Sequence, residues 1–169
     1  MTAGKFVMTV AVGLSAPDFT LQGIDGKSYS LRQAVGNGPT LLVIFKAGCG
    51  ACDLAFPYIN RLAEAYDGEW KLWAIGQEPA DRATDYAKKH GMNYPVLLDT
   101  PGYPVSKIYE PPGTPSFYLL SPDGTIRLTT HGFSKEDLNE ISRVVASYLG
   151  VEPQEIASQD DGRPPFRPG

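Results

Sequence analysis

The sequence predicts an α/β fold in which a central mixed β-sheet is flanked by helices on both faces. Three observations carry this. Thr40–Phe45 (TLLVIF) and Trp70–Gly76 are apolar runs, and each leads into a stretch with apolar residues at helical spacing, the alternation that builds parallel sheet. Ser116–Leu120 and Thr125–Thr130 flank Pro122-Asp123-Gly124, the signature of an antiparallel hairpin. A last helical stripe runs from Leu138 to Leu149 and supplies cover for the sheet.

In chain order, Asp18–Gln22 and Lys27–Ser30 read as a small hairpin turning at Asp25-Gly26. Leu31–Val35 is a short helical turn stopped by Gly36-Asn37-Gly38. Thr40–Phe45 has no polar alternation, which suits a strand buried on both faces. The helix that follows carries Cys52, Ala55, Phe56, Ile59, Leu62, Ala63 and Tyr66 on one face and is expected to stop at Asp67-Gly68. Pro57 lies inside it, removes one hydrogen bond and is expected to kink the axis. In Trp70–Gly76, Trp73 and Ile75 share a face, and both tryptophans read as packing residues.

Pro79 is placed at the first position of a helix through Ala83, Tyr86 and Ala87, closed by His90 and Gly91. His90 is expected to act there as a favourable charge at a helix C-terminus. Pro95–Leu98 is a short strand, and Thr100–Pro115, with five prolines, is the least regular part of the domain. Ser134 is expected to cap the final helix, whose stripe is Leu138, Ile141, Val144, Val145, Tyr148 and Leu149, with Gly150 ending it.

The chain divides into an N-terminal extension (1–12), one domain (13–150) and a tail (151–169). With 42% hydrophobic and 20% charged residues among 169, the domain can bury a core of ordinary size. The tail EPQEIASQDDGRPPFRPG has charge, proline and few large apolar groups, and is expected to be disordered. Net charge is −4 with no long basic run, so nothing points to nucleic acid. The apolar run Phe6–Val12 is short, broken by Thr9 and preceded only by Lys5. It falls short of a secretory signal, no run approaches a membrane span, and the expected location is cytoplasmic.

The chemistry is concentrated in FKAGCGACDLAFP, residues 45–57, which holds the only two cysteines, Cys49 and Cys52. Two thiols at this spacing close a disulfide across the first turn of a helix, whose unpaired N–H groups and dipole favour thiolate on the first of them. Cys49 sits at the helix mouth and Cys52 begins the buried stripe, so Cys49 is the candidate attacking thiol and Cys52 the resolving one. Lys46, three residues before Cys49, is a candidate thiolate stabiliser, the alternative being a solvated lysine at a strand end. A zinc site would call for further ligands, and only His90 and His131 are present elsewhere. A pair of inert packing cysteines is the other alternative.

Cys49-Gly50-Ala51-Cys52, Pro57 five residues after the second cysteine, and Gly113-Thr114-Pro115 before a strand are similar to three fixed features of the thioredoxin superfamily. Gly13–Leu21 (GLSAPDFTL), Gly91–Thr100 (GMNYPVLLDT) and Thr114–Thr125 (TPSFYLLSPDGT) further resemble TlpA/ResA-type thiol–disulfide oxidoreductases, over residues 13–149. The resemblance implies a thioredoxin fold with an added N-terminal hairpin and a helical insertion between two strands. It also implies a cis bond at Thr114-Pro115, with Gly48, Thr114 and Pro115 beside the cysteines to bind a partner's extended backbone. Three positions depart from the pattern. Gly48 stands where members carry Trp, Ala55 where ResA-like members carry Glu, and Val43 where thioredoxin has a buried Asp. The acid that would relay a proton for the buried thiol is missing from both usual places.

The function expected is disulfide exchange with protein disulfide or dithiol substrates and an electron donor, through the redox-active pair Cys49-Cys52 and no other cofactor. Gly50 and Ala51 add no charge between the cysteines, which favours a reductant. A peroxiredoxin-like peroxidase is the alternative enzyme, since Gly13–Leu21 also resembles that family. It would want a Thr or Ser where Lys46 stands, and an Arg nearby. A copper- or partner-binding module of the same fold is the non-enzymatic alternative, although that type uses a wider cysteine spacing and a histidine.

Overall fold

In the computed structural model of the chain, which describes residues 10–169, strands β1 (Thr20–Gln22) and β2 (Ser28–Ser30) form the N-terminal antiparallel hairpin. Helix α1 (Leu31–Ala34), strand β3 (Thr40–Phe45), helix α2 (Gly50–Ala65) and strand β4 (Lys71–Gly76) follow. Then come helix α3 (Ala80–Lys89), strand β5 (Val96–Leu98), helix α4 (Pro104–Tyr109) and strands β6 (Ser116–Leu120) and β7 (Ile126–His131). Strand β8 (Phe133–Ser134), helix α5 (Lys135–Leu149) and strand β9 (Phe166–Arg167) complete the order. The N-terminal extension lies outside the described residues as far as residue 9.

The main sheet has the order β5-β4-β3-β6-β7 and is mixed: β3 runs parallel to β4 and antiparallel to β6. Every residue of β3 is buried, as expected of a run without polar alternation. Period-2 alternation splits it between two cores. Leu41, Val43 and Phe45 pack with α2, α5 and Tyr86 of α3. Leu42 and Ile44 pack with Trp73, Ile75, the N-terminal hairpin, α1 and Tyr109 of α4. Each large apolar side chain so buried contributes about 1.5–3 kcal/mol. Helices α3 and α4 stand between β4, β5 and β6, where the resemblance implied a helical insertion.

Local signals hold at the helix ends. Ser134 accepts a hydrogen bond from the Asp137 N–H, and Gly150 takes the left-handed conformation after α5. Pro79 is the residue before α3 rather than its first member. The stretch 100–115 is more regular than expected, because buried Asp99 accepts the N–H groups of Val105 (2.8 Å) and Ser106 (2.9 Å) and fixes the start of α4. Among the described residues, no helix is long and apolar enough to cross a membrane.

The expectation of a disordered tail is corrected. Ile156 and Ala157 are buried, and the backbone from 154 to 163 is held by polar side chains of α5 at helical spacing. Ser142 donates to the Gln154 carbonyl (2.7 Å). Asn139 accepts the N–H groups of Ile156 and Ala157 and donates to the Ala157 carbonyl, each at 2.9 Å. Lys135 is fully buried, and its Nζ donates to the carbonyls of Ser158 (2.9 Å) and Arg163 (2.9 Å) and to Asp161 Oδ1 (2.6 Å). Asp161 also accepts from Tyr58 of α2, whose ring stacks on Phe133. The tail is ordered by hydrogen bonds to a charged and polar helix face, which a count of its own apolar residues does not register.

Lys135→Met keeps the stem of the side chain and removes its three hydrogen bonds. It should destabilise the protein by about 2 kcal/mol or more, the scale of bonds to a charged group, and expose residues 151–169 to limited proteolysis. An unchanged melting temperature and protease pattern would contradict this account of the tail.

Candidate active site

The site forms where β3 stops and α2 begins. Phe45 ends the strand, Gly48 turns the chain with φ +80°, and Cys49 occupies the N-cap of α2. The Cys49 sulfur accepts the Cys52 N–H at 3.3 Å, satisfying one of the four N–H groups a helix start leaves unpaired. Its other contact is the Thr114 carbonyl at 3.2 Å. The Thr114-Pro115 bond is cis, and so is Thr100-Pro101, which the sequence did not suggest. Both cysteines are free thiols, Cys49 half-buried and Cys52 fully buried.

Burial and hydrogen bonding act differently on the two sulfurs. At Cys49 burial opposes ionisation, but hydrogen bonds from the Thr114 and Cys52 side chains and the Cys52 and Ala51 backbone outweigh it. The thiol is held below its ordinary value. Burial pushes the Cys52 thiol far up, and the neighbouring Cys49 adds to that rise. Val43 and Ala55, which replace the two usual acids, are fully buried in the same core as Cys52. No carboxylate is among the groups that shift Cys52.

Of the sequence-predicted site residues, the fold brings Cys49, Cys52, Thr114 and Pro115 together. Gly48 is exposed at the turn before them. Lys46 is exposed, and its ammonium is not among the groups that lower Cys49. His90 is corrected. Burial lowers its pKa more than nearby Asp53 raises it, so it is neutral at pH 7 and supplies no charge to the end of α3. Its Nε2 lies 3.4 Å from Asp53 Oδ1, and Tyr86 donates to that same oxygen at 2.8 Å.

Two features escaped the sequence. Glu78, just after β4, is nearly buried and accepts the Ala47 N–H at 3.0 Å, pinning the loop that presents Cys49. The Arg167 guanidinium lies against Gly50, so close that a Cβ at position 50 would sit 2.5 Å from it. Neither carried a local signal, since both contacts span distant parts of the chain. Among the described residues, no three His, Cys, Asp or Glu side chains converge.

The lowered Cys49 thiol fixes the sign of a pH dependence. Its thiolate fraction rises with pH, so alkylation by iodoacetamide should climb and reach half its plateau below the pH of an ordinary thiol. Cys52 should stay protonated and unmodified from about pH 6 to 9. A midpoint at or above that of free cysteine would refute the assignment. Separately, Glu78→Leu should cost about 1–3 kcal/mol in urea unfolding by leaving the Ala47 N–H unpaired. Glu78→Gln, which keeps an acceptor, should cost clearly less, and equal losses would count against the pinning role.

Comparison with known proteins agrees with this geometry. A profile described as the AhpC/TSA family matches residues 12–129. The thiol-disulfide oxidoreductase ResA of Geobacillus thermodenitrificans is 28% identical over 134 residues, covering 78% of this chain and 76% of that protein. ResA of Bacillus subtilis is 27% identical over 138 residues, covering 80% and 75%. In structure the chain is similar to a putative thiol:disulfide interchange protein DsbE from Chlorobium tepidum. The TM-score is 0.75 at 24% identity, over 83% of this chain and 99% of that one. A redoxin-type α/β domain with its cysteine pair at the strand-to-helix junction, the chain belongs to the AhpC/TSA family.

Proposed function

We propose that this protein exchanges disulfides with partner proteins through Cys49 and Cys52, acting as a reductant. The observation that carries the reading is the asymmetry of the two thiols: one half-exposed, hydrogen-bonded and lowered, the other buried and raised. Curated relatives named as thiol-disulfide oxidoreductases support the reaction class. The uncharged Gly50-Ala51 pair between the cysteines supports the reducing direction.

Cys49 thiolate attacks one sulfur of a partner disulfide, whose S–S bond breaks as the Cys49–partner bond forms. The departing partner sulfur takes up a proton. Cys52 then loses its proton and attacks the Cys49 sulfur, releasing the second partner thiol and leaving a Cys49–Cys52 disulfide. Two electrons have moved to the partner, and an external dithiol or other electron donor restores the pair. With Val43 and Ala55 in place of acids, the Cys52 proton leaves to water or to a group on the partner. Peroxide chemistry finds less support, since Lys46 stands where the peroxide-binding hydroxyl is wanted.

Reduction of insulin by dithiothreitol should be accelerated by the protein and abolished by Cys49→Ala. Cys52→Ala should accumulate reducible mixed disulfides. In the parent chain, release of the mixed disulfide should speed up as pH rises, because the resolving thiol is the raised one. Undiminished activity of Cys49→Ala, or peroxide consumption faster than insulin reduction, would overturn the reading.

A further inference from the structure

The segment that follows the Lys135 anchorage runs over the mouth of the site. The Lys135 N–H donates to the Pro165 carbonyl at 3.0 Å, and β9 then pairs with β8, Phe133 opposite Arg167 and Ser134 opposite Phe166. From there Arg167 lies against Gly50, and Gly169 lies flat on the backbone of Thr114. A Cβ on Gly169 would be 2.5 Å from the Thr114 carbonyl oxygen and 3.0 Å from its nitrogen. That oxygen is the one in contact with Cys49. Glycines stand where the segment crosses: a Cβ at Gly132 would meet the Arg167 oxygen and Gly169 nitrogen at 3.1 Å, and one at Gly113 would meet Gly169 at 3.2 Å.

We propose that residues 166–169 are a pseudosubstrate strap. They occupy the groove over Thr114 in which a partner's extended, cysteine-bearing segment docks, and a partner must displace them. This rests on the oxidoreductase reading of the site. Backbone already lies over both polar groups of Thr114, the groups an incoming strand would use. The strap is built to open. Up to Pro165 the tail is held by the buried lysine, while residues 166–169 are all exposed on their outer side and leave little apolar surface uncovered when they lift. Its chemistry also indicates what the groove accepts: an extended chain with a small residue over Thr114 and a long side chain lying along Gly50.

Ending the chain after Pro165 removes the strap and keeps the acceptors of Lys135. Gly169→Val keeps the length and forces the last contact off Thr114. A groove open about one-tenth of the time imposes a tenfold handicap on partners, so both variants should raise insulin reduction, the shortened chain by about tenfold. Reaction of Cys49 with the small disulfide 4,4′-dithiodipyridine, which needs no backbone pairing, should change by less than about twofold. A fluorescent Pro-Phe-Arg-Pro-Gly peptide should bind the shortened chain with a Kd on the order of 0.1 mM, given a tethered concentration on the order of 1 mM, and bind the intact chain about tenfold more weakly. Equal or lower insulin reduction in both variants would overturn the strap, as would equal peptide binding to intact and shortened chains. If neither chain reduces insulin, the oxidoreductase reading falls, and the peptide measurement alone decides the strap.

Discussion

The Cys49 sulfur caps α2, and much of the surrounding structure fixes the position of that one hydrogen bond from the Cys52 N–H. Strand β3, buried along its whole length, aims the chain at the helix start, and Gly48 supplies the left-handed turn that lets residue 49 take the N-cap. Glu78 holds Ala47 from the neighbouring strand, and the Thr114 carbonyl closes over the sulfur from the far side of the sheet. A helix N-terminus attracts negative charge, so the position that fits a cap also favours a thiolate.

Cys52, one turn on, experiences the opposite environment. It faces the core with Val43, Ala55 and Phe56, and burial drives its thiol up. Attack and resolution therefore differ in their proton chemistry within a single helical turn. Neighbouring Asp53 does not mend this, because it is engaged with Tyr86 and stands beside His90 on the outer side of α2.

The polar stripe of Lys135, Asn139 and Ser142 gives α5 a second role beyond covering the sheet. One face of the helix packs into the core, while the adjacent face binds the backbone of the tail. A buried ammonium is tolerated there because two carbonyls and a carboxylate satisfy its three donors. The helix that stabilises the fold thus also directs residues 166–169 to the site.

The sequence by itself determined what short-range pattern encodes. The all-apolar TLLVIF run, the turn residues at Asp25-Gly26 and Pro122-Asp123-Gly124, the Ser134 cap and the cysteine spacing each act within a few residues, and the sheet, helices and thiol pair follow from them. Motif resemblance added the cis bond at Thr114-Pro115, which no local propensity would indicate. Tertiary structure decided what depends on residues far apart in the chain meeting each other. Glu78 became a loop anchor 31 residues from Ala47, His90 was neutralised by burial, and a tail poor in apolar groups was ordered. The physical reason is the same in each case. Hydrogen bonding and desolvation depend on which groups surround a residue in space, and its neighbours in sequence do not report them.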